Sequence, residues 1–244
     1  MNDLFSPALD LVNLAHRLSN HPSRLVLWNE GSVATQLPKG RLAVSQANAH
    51  LGKLCVSELA EFETARVRAL TDRESFTEED LEEARSTEAG APVGVKPSSD
   101  LFLYADLFTD ESLRFAAHTQ PVAINQILCS PRARQFADRR NLPHEVLVGG
   151  PASMLVPFAP PGVPLARELR RRLTLWYDRY KIPPKVILIQ NHGMIALGAS
   201  ADEVVMLTEM TVKFAEIFLG AAMMGGPEFL KPAFVAQIEA EGVV

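Results

Sequence analysis

Phe115-Ala116-Ala117-His118-Thr119-Gln120-Pro121 is an apolar run that ends in a histidine, with a second polar side chain two residues on and a proline behind it. Side chains i and i+2 of a strand share a face, so His118 and Gln120 are expected to project together from a strand end. Pro121 would then open the next element. Val186-Ile187-Leu188-Ile189-Gln190-Asn191-His192-Gly193 repeats the theme: a buried-looking strand runs into a histidine, here followed by glycine. The rest of the chain reads as a scaffold that brings these two strand ends together.

Outward from these stretches, the pattern predicts a helix over 7–18 behind a Ser6-Pro7 start, closed by Asn20-His21-Pro22. Short strands are expected over 25–28 and 32–37, and Pro38-Lys39-Gly40 turns into another over 41–45. These hairpin signals imply a sheet that is at least partly antiparallel. Residues 46–52 read as a loop in which Asn48 tolerates a left-handed backbone. A helical turn over 56–61 and a strand over 62–70 follow. Thr77-Glu78-Glu79-Asp80 resembles a capping box, and residues 86–97 form the most loop-like segment, expected to be a mobile internal loop. Further on, helices are expected over 101–108, 121–128, 131–138, 164–180 and from Ser200 to about 223, with a last one after Pro227. Strands are expected over 145–148, 186–189 and 194–197. Strands alternating with helices and hairpins predict one domain over 1–244, an α/β chain built as a three-layer α/β/α sandwich around a mixed, largely antiparallel sheet.

Composition narrows the function classes. The chain has 244 residues, 47% hydrophobic and 22% charged, with a formal net charge of −5 and no basic run. That balance argues against a nucleic-acid surface. No stretch approaches the ~18 consecutive apolar residues of a membrane span, and residues 1–20 carry acids and no apolar core of a signal peptide. Cys55 and Cys129 do not make a disulfide framework and are expected to be small buried hydrophobes in a reducing cytoplasm.

His118 and His192 could ligate a metal through neutral imidazole nitrogens, with Gln120 as a weaker carbonyl donor. On spacing alone, partly buried histidines satisfied by hydrogen bonds are the commoner outcome. Ser98-Ser99-Asp100 opens a helix, where hydroxyls and free N–H groups suit an anion, although on sequence alone an acid there is more often a cap. The turns around Trp28-Asn29-Glu30-Gly31-Ser32 and Gln46-Ala47-Asn48 could present backbone N–H groups to a phosphate. His16, His21, His50 and His144 are expected on solvated surface, and Arg167, Arg170, Arg171 and Arg172 on the wet face of a helix or at a subunit contact.

Together these marks resemble the class II aldolase/adducin family, which includes the fuculose-, rhamnulose- and ribulose-phosphate aldolases and epimerases. The resemblance rests on the Gly31-Ser32-Val33 turn, Ala49-His50-Leu51-Gly52-Lys53-Leu54, Pro97-Ser98-Ser99-Asp100, Ala117-His118-Thr119-Gln120-Pro121 and Gln190-Asn191-His192-Gly193-Met194, in that order. It implies a zinc (or Mn, Co or Fe) held by His118, Gln120 and His192, and Asp100 as acid/base, a role that requires a dry pocket to raise its pKa. Gly31, Ser32, Ala47, Asn48, Ser98 and Ser99 then stand at the substrate or phosphate positions. The implied function is metal-dependent retro-aldol cleavage of a small sugar phosphate or hydroxyketone through an enediolate, in a cytoplasmic homotetramer. A non-catalytic adducin-like role and an isomerase or lyase acting on a non-phosphorylated hydroxy acid are the alternatives. The chain departs from the family pattern at Gln120, where a histidine is usual, and at Asp100, where glutamate is. It departs again at Ser32, where asparagine is usual, with Ala34 for the serine after it, and at Ala47-Asn48, where Ser-Gly is.

Overall fold

Alternation along the strands divides the apolar residues between two faces of a single sheet. In a computed structural model that describes residues 5–87 and 94–242, seven strands form it: β1 (Ser32–Leu37), β2 (Arg41–Ser45), β3 (Leu59–Glu63), β4 (Phe115–Thr119), β5 (Met154–Val156), β6 (Val186–Ile189) and β7 (Gly193–Gly198). Their order is β3-β2-β1-β4-β7-β6-β5. Every neighbouring pair is antiparallel except β5 with β6. Val186 and Leu188 join one core with Phe115 and Ala117, whereas Ile187 and Ile189 join the other with Ala116. This period of two is what a sheet buried on both faces requires.

Helices close both faces. The first core is covered by α1 (Phe5–Ser19), with α5 (Val122–Leu128), α6 (Ala133–Asp138), α7 (Pro143–Gly149) and the long α9 (Ala201–Met223). The second is covered by α2 (Thr64–Asp72), α4 (Leu101–Leu107) and α8 (Val163–Tyr180). In α1 the stripe Ala8, Leu11, Val12, Ala15, Leu18 follows helical spacing and is buried along its length. The short α3 (Glu78–Glu83) starts as its capping box predicts: Thr77 accepts from the Asp80 N–H, and Asp80 accepts from the Thr77 N–H at 2.8 Å. The terminal α10 (Pro232–Glu241) packs on α7. The three-layer α/β/α sandwich with a mixed, largely antiparallel sheet is therefore as expected.

Several local expectations fail, each for an identifiable reason. Residues 25–28 are not a strand. Leu25 and Val26 are buried as strand residues would be, but Arg24 and Trp28 have φ of 52° and 53°, and the segment folds into turns. The segment 62–70 is mostly helix: β3 ends at Glu63, and Val67, Leu70 and Thr71 carry the buried face of α2 at helical spacing. The turn expected over 56–61 is a 3₁₀ turn at Val56–Glu58 that leads straight into β3. Residues 145–148 are helical because Pro143 and Glu145 sit in the first turn of α7, where both are favoured. Strand β5, at three residues, was too short an apolar run to be expected as a strand. Cys55 and Cys129 are exposed, not buried; both stand at helix caps rather than inside an apolar face. Arg170 is not on a wet face: it turns inward to Asp106, Asp72 and Thr71 and ties α8 to α2 and α4. His16 is half-buried, with Nε2 2.9 Å from the Leu54 carbonyl, rather than solvated. Of the loop expected over 86–97, residues 88–93 lie outside the described residues.

Candidate active site

The β4 register sets the site. His118 pairs with Ser32 on β1 and with Ile195 on β7, so the turn before β1 and the turn before β7 flank it. Gly31 takes φ 74°, and a Cβ there would collide with the His118 carbonyl oxygen. Gly193 begins β7 after a tight turn in which Asn191 is left-handed and the His192 N–H donates to the Ile189 carbonyl at 3.1 Å. A Cβ on Gly193 would lie 2.5 Å from the Thr119 carbonyl oxygen, 3.0 Å from His118 Nε2 and 3.1 Å from Gln120 Cγ. The glycine after His192 thus lets two strand ends close on each other. The His118 and His192 rings meet edge to face with centroids 4.8 Å apart.

Behind His118 stands a hydrogen-bond chain from α4. Asp100 occupies the N-cap position of α4, yet its side chain makes no capping bond. Its Oδ2 lies 2.8 Å from His118 Nδ1 and accepts from the Ser32 hydroxyl at 2.6 Å. Tyr104, one turn further along α4, donates to the Ser32 carbonyl at 3.0 Å, lies 2.7 Å from Ser32 Oγ and accepts the His118 backbone N–H at 3.2 Å. Asp100, Tyr104, His118 and Ser32 are all buried.

Burial pushes the Asp100 carboxyl up, but the His118 imidazole beside it, the bonds from His118 and Ser32, and the His192 ring outweigh that push and hold it below the ordinary carboxylate value. The carboxylate is therefore ionised and acceptor-only, which places the proton of a neutral His118 on Nδ1 and a lone pair on Nε2. Burial likewise holds His192 below the ordinary histidine value, helped by His118 and opposed by Asp100. The Tyr104 hydroxyl is pushed well up by burial and by the Asp100 charge, so it stays protonated and serves as a donor.

Asp100, His118 and His192 line a cleft of about 720 Å³ together with Gly31, Ala47, Asn48, Ser98, Ser99 and Gln120, and Ser32 and Tyr104 stand behind them. Most of the residues singled out by sequence therefore come together. Three behave differently from expectation. Ser32 is fully buried and turned to Asp100 and Tyr104 instead of facing a substrate. The Ala47 N–H donates to the Lys96 carbonyl at 2.8 Å, so it is not free for a phosphate. The carboxyl of Asp100 is lowered, not raised, because His118 and Ser32 stabilise its charge more than dryness penalises it. Tyr104 was missed, although its position four residues after Asp100 on a helix puts it on the same face. Arg85 and Lys96, which also line the cleft, gave no motif and could be found only by the fold.

Whether a metal suits this floor can be judged from its donors. His118 Nε2 and His192 Nδ1 are buried and have no hydrogen-bond partner among the described residues. Orphaned imidazole nitrogens on touching rings, one ring held from behind by a carboxylate, are the usual arrangement of metal-ligating histidines. Among the described residues no group of three or more His, Cys, Asp and Glu side chains is placed to hold an ion. The third donor available is the neutral amide of Gln120. The set fits a divalent ion, held less firmly than by three imidazoles.

The family model for the class II aldolase and adducin N-terminal domain matches residues 10–219. Among solved structures, the chain is similar to L-fuculose 1-phosphate aldolase, at 14% identity and TM-score 0.73 over 99% of this chain and 96% of that one. It is similar to YgbL from Klebsiella pneumoniae, a candidate aldolase/epimerase/decarboxylase, at 16% identity and TM-score 0.72 over 96% and 97% of the two chains. It is also similar to a sugar-phosphate aldolase from Thermotoga maritima, at 14% identity and TM-score 0.68 over 92% and 98%. At these identities the similarity is one of fold. No curated protein matches the sequence. No helix among the described residues is long and apolar enough to cross a membrane.

Proposed function

Because the chain belongs to the class II aldolase and adducin N-terminal domain family, we propose that it is a divalent-metal-dependent lyase that breaks the bond between the α and β carbons of a small hydroxylated carbonyl substrate by retro-aldol cleavage. One observation carries this reading: the unpartnered nitrogens of His118 and His192 on two rings that touch at the floor of the cleft. Core histidines kept for structure tend to satisfy their buried ring nitrogens; His118 Nε2 and His192 Nδ1 have no partner among the described residues.

His118, His192 and Gln120 would hold the ion, with zinc the first choice and manganese, cobalt or iron the others. When bound, it would supply Lewis-acid stabilisation of the negative charge that develops on a carbonyl oxygen as the adjacent bond breaks. Asp100 keeps the proton of His118 on Nδ1 and the ring in one orientation, and Tyr104 and Ser32 hold Asp100 and the β4 backbone in place. In this reading Asp100 is a positioning residue, because its carboxylate faces His118 and Ser32 and stays ionised. Ser98 and Ser99 present hydroxyls on the cleft wall to the substrate. We extend the reading to a single domain over 1–244 acting in a cytoplasmic homotetramer.

Gln120 favours one second reading, a metal-free, adducin-like binding role, since no third strong ligand stands among the described residues. Chelator-treated protein offered Zn, Mn, Co or Fe, then assayed for aldol cleavage of phosphorylated and plain hydroxyketones, decides between them. Binding of one metal with a matching gain in cleavage supports the lyase. Failure to bind any of the four tightly supports the binding role.

A further inference from the structure

The cleft carries a buried cation that the histidine floor does not use. Arg85 is 8% exposed and lines the cleft. Its Nε and Nη2 donate to the two oxygens of Glu82 at 2.7 and 2.6 Å, and Nη2 also donates to the Val95 carbonyl at 3.0 Å. Its guanidinium lies 4.7 Å from the centroid of the Phe62 ring. These contacts fix the group in one pose. Nη1 remains: it is buried and has no partner among the described residues.

A buried charged donor without an acceptor is costly, and native structures keep few of them. Lys96 stands on the same cleft, on the segment that also carries Ser98 and Ser99. The two turns expected to cradle a phosphate offer little by comparison, since Ser32 is committed to Asp100 and the Ala47 N–H to the Lys96 carbonyl. We propose that Arg85 Nη1 and Lys96 form an oxyanion subsite that takes the carboxylate or phosphate of the substrate. The subsite rests on the lyase reading only for what its ligand is used for; binding of the anion stands by itself. A guanidinium clamped on one edge by Glu82 presents a fixed donor on the other, which suits a small oxyanion held at one end of a short molecule.

The test uses the full chain treated with chelator and titrated with inorganic phosphate and, separately, glycolate, followed by calorimetry and by the Ser98 and Ser99 amide signals. The expected result is saturable binding of one or both, weakened about tenfold by Arg85→Lys, the loss of one charged hydrogen bond. Which anion binds more tightly identifies phosphate or carboxylate as the natural group. Glu82→Gln, at an exposed carboxylate, guards against misfolding of the Arg85 variant. Removing that competing charge should tighten anion binding severalfold. His192→Ala should leave anion binding intact, so a failed metal assay and a failed anion assay are told apart. No saturable binding of either anion up to about 50 mM, a concentration that would populate any millimolar site, overturns the subsite. So does a Glu82→Gln variant that binds no more tightly.

Discussion

Asp100 Oδ2 stands 2.8 Å from His118 Nδ1, and both groups are buried. This contact joins the start of α4 to the end of β4 and decides which nitrogen of His118 faces the cleft.

Replacing that carboxylate by an amide should disorder the tautomer without emptying the space. Asp100→Asn is expected to weaken metal binding or activity by about 10- to 100-fold, as loss of the partner behind a ligating histidine does. Calorimetric metal titration alongside steady-state kinetics checks it. A variant with wild-type metal affinity and kinetics would refute the orienting role.

Tyr104 supports the same chain from one turn further along α4. Tyr104→Phe strands the Ser32 carbonyl and the His118 N–H, both of which it bonds. The expected loss of stability is about 1–3 kcal/mol, read by urea denaturation, with activity falling as His118 loosens.

Gly193 has no room for a side chain, since a Cβ would lie 2.5 Å from the Thr119 carbonyl oxygen and 3.0 Å from His118 Nε2. Gly193→Ala should cost about 1–3 kcal/mol as an overpacking change and reduce metal binding together with stability. Thermal unfolding and metal titration measured on the same sample separate this from a purely local effect on the ligand.

Gln120→His replaces a neutral oxygen donor by imidazole at the third ligand position. Zinc affinity is expected to rise at least about tenfold, or 1.4 kcal/mol. Competition against a coloured chelator measures it, and unchanged affinity would show that the position 120 side chain does not reach the ion.

A separate pH effect should come from the Arg140–Glu145 pair, remote from the cleft. Burial holds Glu145 above its ordinary value of 4.5 and Arg140 below its own, so on both sides desolvation exceeds the mutual attraction. A carboxyl raised in the folded state contributes stability that is fully present below pH 4.5 and is lost as pH rises through the raised value. Glu145→Gln should remove that decline, which denaturation between acid and neutral pH will show.

The sequence by itself determined the layers and most of the site. Alternation in 115–119 and 186–189, helical spacing in α1 and α8 and the Pro38-Lys39-Gly40 turn are local signals, and local signals survive into the fold because burial enforces them. They were enough to bring His118, Gln120, His192, Asp100 and the paired serines to one cleft. Where a local pattern was ambiguous, as in 62–70 and 145–148, tertiary packing chose helix over strand. Hydrogen-bond partnership is not local at all. Asp100 could have capped its helix, and Ser32 could have faced a substrate. Only the register that sets Ser32 opposite His118 on adjoining strands, with α4 laid across them, turned both side chains inward. That same packing left two imidazole nitrogens and one guanidinium nitrogen without partners among the described residues, because a polar atom's partners are settled by what folds against it and not by its neighbours in the chain.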